Sequence, residues 1–171
     1  MRTSKTIYQI LPLLSGLILF ISGCGIYKFS EASVDPNVKT VKVNFIENRA
    51  RYINPQLSPR LTDRFRQKIV SQTKLTQTND DNANWDITGF ISDYTFSTSA
   101  ISGQQVVNNR LTVGVHLTLI DRIKDEKREY DVSRSFEFDG RLSFQQAENN
   151  LGDEMIRTLT DELFNKLFSN W

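Results

Sequence analysis

Leu111-Thr112-Val113-Gly114-Val115-His116-Leu117-Thr118-Leu119 decides the fold. Every odd position is aliphatic, and the even positions hold threonine, glycine or histidine. A period of two is what a strand shows when one face is buried and the other open. Such a strand is not stable alone, so the flanking sequence must supply sheet neighbours and a covering layer.

Downstream, Asp121 to Lys127 is a charged hairpin connection. Tyr130, Val132, Phe136 and Phe138 then form the next strand, with Arg134 on its apolar parity, where a guanidinium must snorkel, pair or face an anion. Upstream, Trp85 to Phe96 is a strand whose alternation changes phase. Trp85, Ile87 and Ile91 share one parity and Phe90, Tyr94 and Phe96 the other. A bulge near Gly89 would re-aim the side chains; alternatively both faces of this strand are covered, one by the domain's own helices and one by a partner. Ser97 to Asn109 is polar and small, an exposed loop tipped by Ile101, Val106 and Val107.

The covering layer comes from two helical patterns. Leu57, Leu61, Phe65 and Ile69 recur every four residues, with Arg60, Asp63, Arg64, Arg66 and Lys68 between them, and the Ser58-Pro59 pair reads as an N-cap followed by a first-turn proline. The basic residues read as a solvated helix face. Near the C-terminus, Phe144, Ala147, Leu151, Met155, Leu159, Leu163 and Leu167 form one stripe that Ile156, Phe164 and Phe168 widen, while Ser143 and Gln146 fit a capping box. Val41, Val43 and Phe45 alternate with polar residues over Val38 to Ile46 as an opening strand, followed by a polar loop from Glu47 to Pro55. The order is thus strand, helix, three strands, helix. This predicts an α+β two-layer sandwich, a four-stranded, mostly antiparallel sheet with both helices on one face.

Chemistry-bearing residues are sparse. His116 is the single histidine and lies on the polar parity, without a second histidine or thiol in reach, so it reads as a surface strand residue. Asp80, Asn82, Asn84 and Asp86 alternate as calcium-loop ligands do, but Trp85 stands where the sharp turn wants glycine and Ile91 where a bidentate glutamate belongs. No nucleophile elbow or phosphate-binding glycine loop is present, so the reading is of a non-enzyme without cofactor or metal.

Residues 1–23 set the address. Arg2 and Lys5 precede an apolar run from Ile7 to Phe20, and Ile21-Ser22-Gly23-Cys24 follows. A basic start, a short apolar core and small residues at its end describe a cleaved secretory signal. Cys24 is the only cysteine, which rules out an intramolecular disulfide. Residues 24–37 then read as a tether and 38–171 as the domain. The leading segment holds two of the 21 basic side chains and none of the 20 acidic ones, so the remainder is near neutral, against the strongly basic balance of a nucleic-acid binder.

Ile21 to Cys24 resembles the lipobox of bacterial lipoproteins, which implies that Cys24 becomes the first mature residue and carries acyl chains. Two or more such chains, at about 0.8 kcal/mol per buried CH₂, hold a protein stably on a membrane. Residue 25 is not aspartate and no acidic run follows Cys24, which leans the resemblance towards the periplasmic face of the outer membrane. With that lipobox, the element order, Asn109-Arg110-Leu111-Thr112-Val113, the stretch Ser71-Gln72-Thr73-Lys74-Leu75 and the closing run from Asp161 to Trp171, the chain resembles the LptE family of lipopolysaccharide-assembly lipoproteins. The resemblance implies a plug seated in the lumen of an LptD-type outer-membrane barrel, which it helps to fold and through which it supports lipopolysaccharide transport. The implied partners are that barrel, lipopolysaccharide, and the membrane through the acyl chains. A polar barrel lumen suits a plug with its own core and a polar surface. Lipopolysaccharide carries phosphates, so Arg110, Lys124, Lys127, Arg128 and Arg134, at strand and hairpin positions, are the candidate contacts. The competing reading is a periplasm-facing lipoprotein that binds a small ligand, lipid or envelope polymer through its sheet face; an apolar pocket between sheet and helices would favour it.

Overall fold

The computed structural model describes residues 34–102 and 105–168. The proposed signal segment, Cys24, most of the tether and Trp171 lie outside them. In chain order the elements are β1 (Thr40–Val43), β2 (Glu47–Asn48), α1 (Leu57–Gln72), β3 (Thr76–Gln77), β4 (Trp85–Ser102), β5 (Gln105–Asp121), β6 (Glu126–Asp139) and α2 (Phe144–Phe168).

The α+β class is as expected, but the sheet has six strands and is mixed. Its order is β3-β1-β4-β5-β6, with β2 also paired to β4. β4, β5 and β6 are the antiparallel meander, while β1 and β2 run parallel to β4 and β3 runs parallel to β1. The reason is α1: a helix placed between two strands returns the chain to the same end of the sheet, so the next strand lies parallel to the first. β2 is a two-residue strand within the expected Glu47–Pro55 loop and β3 one of the same length after α1, both too short to express a period.

The expected opening strand narrows to Thr40–Val43. Phe45, expected inside, is 51% exposed, and Ile46 takes its place in the core. There the chain leaves β4 and rejoins it one step on: Asn44 N–H donates to the Ile87 carbonyl (2.9 Å) and Arg49 N–H to that of Ile91 (3.0 Å).

The bulge in β4 lies at Ser92, not Gly89. Pairing with β5 slips between Ile91 and Asp93, and the inward parity passes from Trp85, Ile87 and Ile91 to Tyr94. Gly89 keeps its register opposite Leu117. It is glycine because a Cβ there would stand 2.8 Å from the His116 carbonyl oxygen and against the Leu117 side chain. Nor is Ser97 to Asn109 a loop. β4 and β5 remain paired through Thr98↔Asn109 to Ser102↔Gln105, with further register shifts around Ala100. Ladder hydrogen bonds do not require an alternating side-chain pattern, and β6 supports the arm as far as Asn108↔Asp139.

Leu57, Leu61, Phe65 and Ile69 are all buried, as their spacing predicts. The cap of α1 differs: Ser58 lies inside the helix, buried, with its hydroxyl unpartnered and its carbonyl accepting from Thr62 Oγ1 (2.7 Å). Asn54 organises the entry instead, its side-chain oxygen accepting from Gln56 N–H (2.9 Å). In α2 the capping box forms as expected: Ser143 N–H donates to Gln146 Oε1 (3.0 Å), and Gln146 N–H to Ser143 Oγ (3.3 Å). The stripe is buried from Ala147 to Phe168. Phe144, its expected first member, is half-exposed and stacks on Phe96 at 4.2 Å. Both helices cover the face carrying Leu111, Val113, Val115, Leu117 and Leu119, all at 0% exposure.

Candidate functional site

The uncovered face of the meander is polar. One in-register row crosses it, Phe90↔His116↔Asp131. The Arg49 guanidinium lies 4.6 Å from the Phe90 ring centroid, that ring stands 5.1 Å from the imidazole, and His116 Nδ1 is 2.8 Å from Asp131 Oδ1. Nearby, the Thr112 and Ser135 hydroxyls are hydrogen-bonded at 2.9 Å. His116 is therefore the surface strand residue its parity predicts.

The five basic candidates do not converge. Arg110 lies on the open face and pairs with Glu137 at 2.9 Å. Lys124, Lys127 and Arg128 lie at or beside the β5–β6 turn, at the other end of the sheet. Lys124 stands 3.7 Å from Asp35, Lys127 2.6 Å from Glu129, and Arg128 3.4 Å from the fully buried Asp121, with its guanidinium 5.9 Å from the Trp85 ring centroid. Arg134, on the apolar parity of β6, pairs with Glu162 of α2. Each cation thus has an acidic partner, and most of these pairs are exposed enough that solvent screens them strongly. Asp80, Asn82, Asn84 and Asp86 are spent locally. Asp80 Oδ1 accepts from Asn82 N–H (2.9 Å), Asn84 Oδ1 from the Lys39 and Thr40 amides (2.8 and 3.1 Å), and Asp86 Oδ1 from the Asn44 side chain (2.6 Å). Among the described residues no group of three or more histidine, cysteine or acidic side chains is placed to hold a metal.

A polar cluster that the sequence reading missed sits where the loop before α1 meets the start of α2. Glu148, 8% exposed, accepts from Tyr94 Oη (2.8 Å), the Asn54 side-chain amide (3.1 Å) and Tyr52 Oη (3.3 Å). Burial raises the Tyr94 pKa well above the ordinary phenol value, so that hydroxyl stays a donor. Tyr52 stacks on Tyr94 at 5.4 Å, and Phe96 meets both edge-on. Beside the cluster opens a cavity of about 330 Å³ lined by Tyr52, Asn54, Arg60, Glu148, Asn149 and Met155. The available signal was a carboxylate on the apolar stripe of α2, four residues after Phe144 and three before Leu151.

A sheet with one helix-covered apolar face and one open polar face, its five candidate cations each paired, defines a two-layer α+β domain. The family model described as LptE, lipopolysaccharide-assembly, matches residues 38–167. The chain belongs to the LptE family, whose proteins act in lipopolysaccharide assembly. Among solved structures it is similar to a minor lipoprotein from Acinetobacter baumannii (14% identity, 78% of this chain and 94% of that one, TM-score 0.50). It is also similar to the hypothetical protein CT253 from Chlamydia trachomatis (8%, 77% and 99%, TM-score 0.51) and to the rare lipoprotein B from Shewanella oneidensis (15%, 75% and 93%, TM-score 0.49). Identities this low make the first two evidence of the fold alone. No curated protein matches the chain.

Proposed function

We propose that this protein is the lipid-anchored partner of an LptD-type outer-membrane barrel, which it plugs and helps to assemble so that lipopolysaccharide reaches the outer leaflet. The observation that carries this reading is the family match, which spans residues 38–167 and therefore nearly every described element. Supporting it, the uncovered sheet face is polar and mostly self-neutralised, as suits a body seated in a water-filled lumen. No described helix is long and apolar enough to cross a membrane, so attachment is assigned to acyl chains on Cys24. The role is binding and assembly rather than catalysis. Arg110, Lys124, Lys127, Arg128 and Arg134 are proposed to contact the barrel or lipopolysaccharide by exchanging their present acidic partners for external anions.

Affinity purification through a C-terminal tag is expected to recover a large barrel protein, and mass spectrometry to find acyl chains on Cys24. Depletion is expected to leave the barrel misassembled and lipopolysaccharide depleted at the surface. Normal amounts of correctly folded barrel in depleted cells would overturn the reading.

A further inference from the structure

α1 and α2 lie side by side and run in the same direction, and charged rungs join them. Arg60 pairs with Asp153, and Lys68 with Asp161 at 2.6 Å; both pairs are separated by 93 positions in sequence. Two residues with that same separation occupy the rung between them, one helical turn from each neighbour: Arg64 and Arg157. The ladder therefore reads cation to acid, cation to cation, cation to acid. Like charges facing one another at this spacing oppose packing.

No described acid relieves the middle rung. Asp153 and Asp161 are engaged by Arg60 and Lys68, Asp63 stands 3.8 Å from Arg66, and neither Arg64 nor Arg157 has a carboxylate within ion-pairing distance among the described residues. Glu154, next to Asp153 on α2, makes no ion pair with either of them. Both arginines line one open groove of about 480 Å³ between the helices, together with Arg60, Gln67, Ile156 and two carboxylates, Asp63 and Asp153, which are engaged by Arg66 and Arg60.

We infer that this groove is a phosphate-binding site in which Arg64 and Arg157 clamp the anion from opposite helices. Two guanidiniums present two planar donor forks, and a tetrahedral dianion offers both enough acceptor oxygens and a second negative charge to match the two cations. The side-chain amide of Gln67 is a further donor at the rim. The core shared by the two helices holds them in register, so Arg64 and Arg157, both exposed, stay on the same rung. This assignment does not rest on the barrel-partner reading, and its site is separate from the five sheet and hairpin cations. The phosphate could belong to a lipid headgroup or to a soluble ester.

Arginine Nε–H resonances of the full chain in neutral detergent micelles separate these sources. One arm titrates inorganic phosphate; the other compares mixed micelles containing phosphatidic acid with micelles containing phosphatidylcholine. Arg64 and Arg157 are expected to shift together and saturably, while Arg51, likewise exposed but outside the groove, does not. A response to both probes identifies the phosphate group itself, to phosphatidic acid alone a lipid headgroup, and to inorganic phosphate alone a soluble ligand. Arg157→Glu completes the rung with Arg64, so it is expected to raise Tm without phosphate and to weaken binding roughly tenfold to a hundredfold, the scale of lost charge-assisted hydrogen bonds. No saturable shift with either probe, an undiminished response in Arg157→Glu, or a lowered Tm in that variant would overturn the assignment.

Discussion

The two faces of the meander are made by alternate residues of the same strands, most regularly in β5, yet they do different work. On the helix-covered face, Leu111, Val113, Val115, Leu117 and Leu119 have no exposed surface. On the open face, Arg110, Thr112 and His116 are engaged across the strands by Glu137, Ser135 and Asp131. Burial of apolar area stabilises the first face at roughly 25 cal/mol per Å², while the second consists of pairs that water competes for. Stability is therefore concentrated on one side, leaving the other free to change partners.

The largest effect should separate two residues on one strand. Leu117→Ala is expected to cost about 2–5 kcal/mol and Thr112→Ala about 0.5 kcal/mol or less, read as unfolding midpoints in urea at unchanged slope. Equal losses would break the contrast between the faces. The two meander glycines sharpen it. Gly89→Ala drives a Cβ towards the His116 carbonyl on the covered side and is expected to cost about 1–3 kcal/mol. Gly114→Ala meets first the Ser92 hydroxyl, at 2.8 Å, which can rotate away, so its loss should be smaller.

Glu148→Ala probes a carboxylate drawn into the covered side, as Asp121 is at the other end of the sheet. It leaves the Tyr94 and Tyr52 hydroxyls without their acceptor and the Asn54 amide with only the Tyr94 oxygen, at an expected cost of about 1–3 kcal/mol; Glu148→Gln, which keeps an acceptor, should lose less. The smallest effect is at the exposed end of β6. The Arg141 side chain and backbone N–H hold the Asp139 pKa down to about 2, from an ordinary 3.8. A lowered folded-state pKa means that the contribution is complete above pH 3.8 and is lost as pH falls towards 2. Asp139→Asn should lower stability slightly at neutral pH, since the pair is exposed, and leave it unchanged below pH 2, so that part of the acid dependence disappears from pH-resolved thermal melts.

The strand from Leu111 to Leu119, both helix stripes and the Ser143–Gln146 capping box were legible because each is a local pattern, repeated within one element. Ser58 misled because a good capping residue type precedes proline there, while Asn54 two residues before the N-cap Gln56 captures the chain first. The polar arm from Ser97 to Asn109 read as loop because its pairing is carried by backbone groups that leave no trace in side-chain pattern. Of the candidate cations, the sequence located the residues but not their partners: Arg134 reaches Glu162, 28 positions away on another element.

By itself, then, the sequence determined which face of α1, α2 and β5 would be buried, because hydrophobic periodicity acts within a few residues, but not that of β4, whose parity changes at the Ser92 bulge. Tertiary structure alone decided that β1, β2 and β3 run parallel to their neighbours, that Glu148 meets Tyr94 across 54 positions, and that Arg64 and Arg157 line one groove. Those outcomes depend on how a helix crossover returns the chain and how two helices slide into register, which no local spacing encodes.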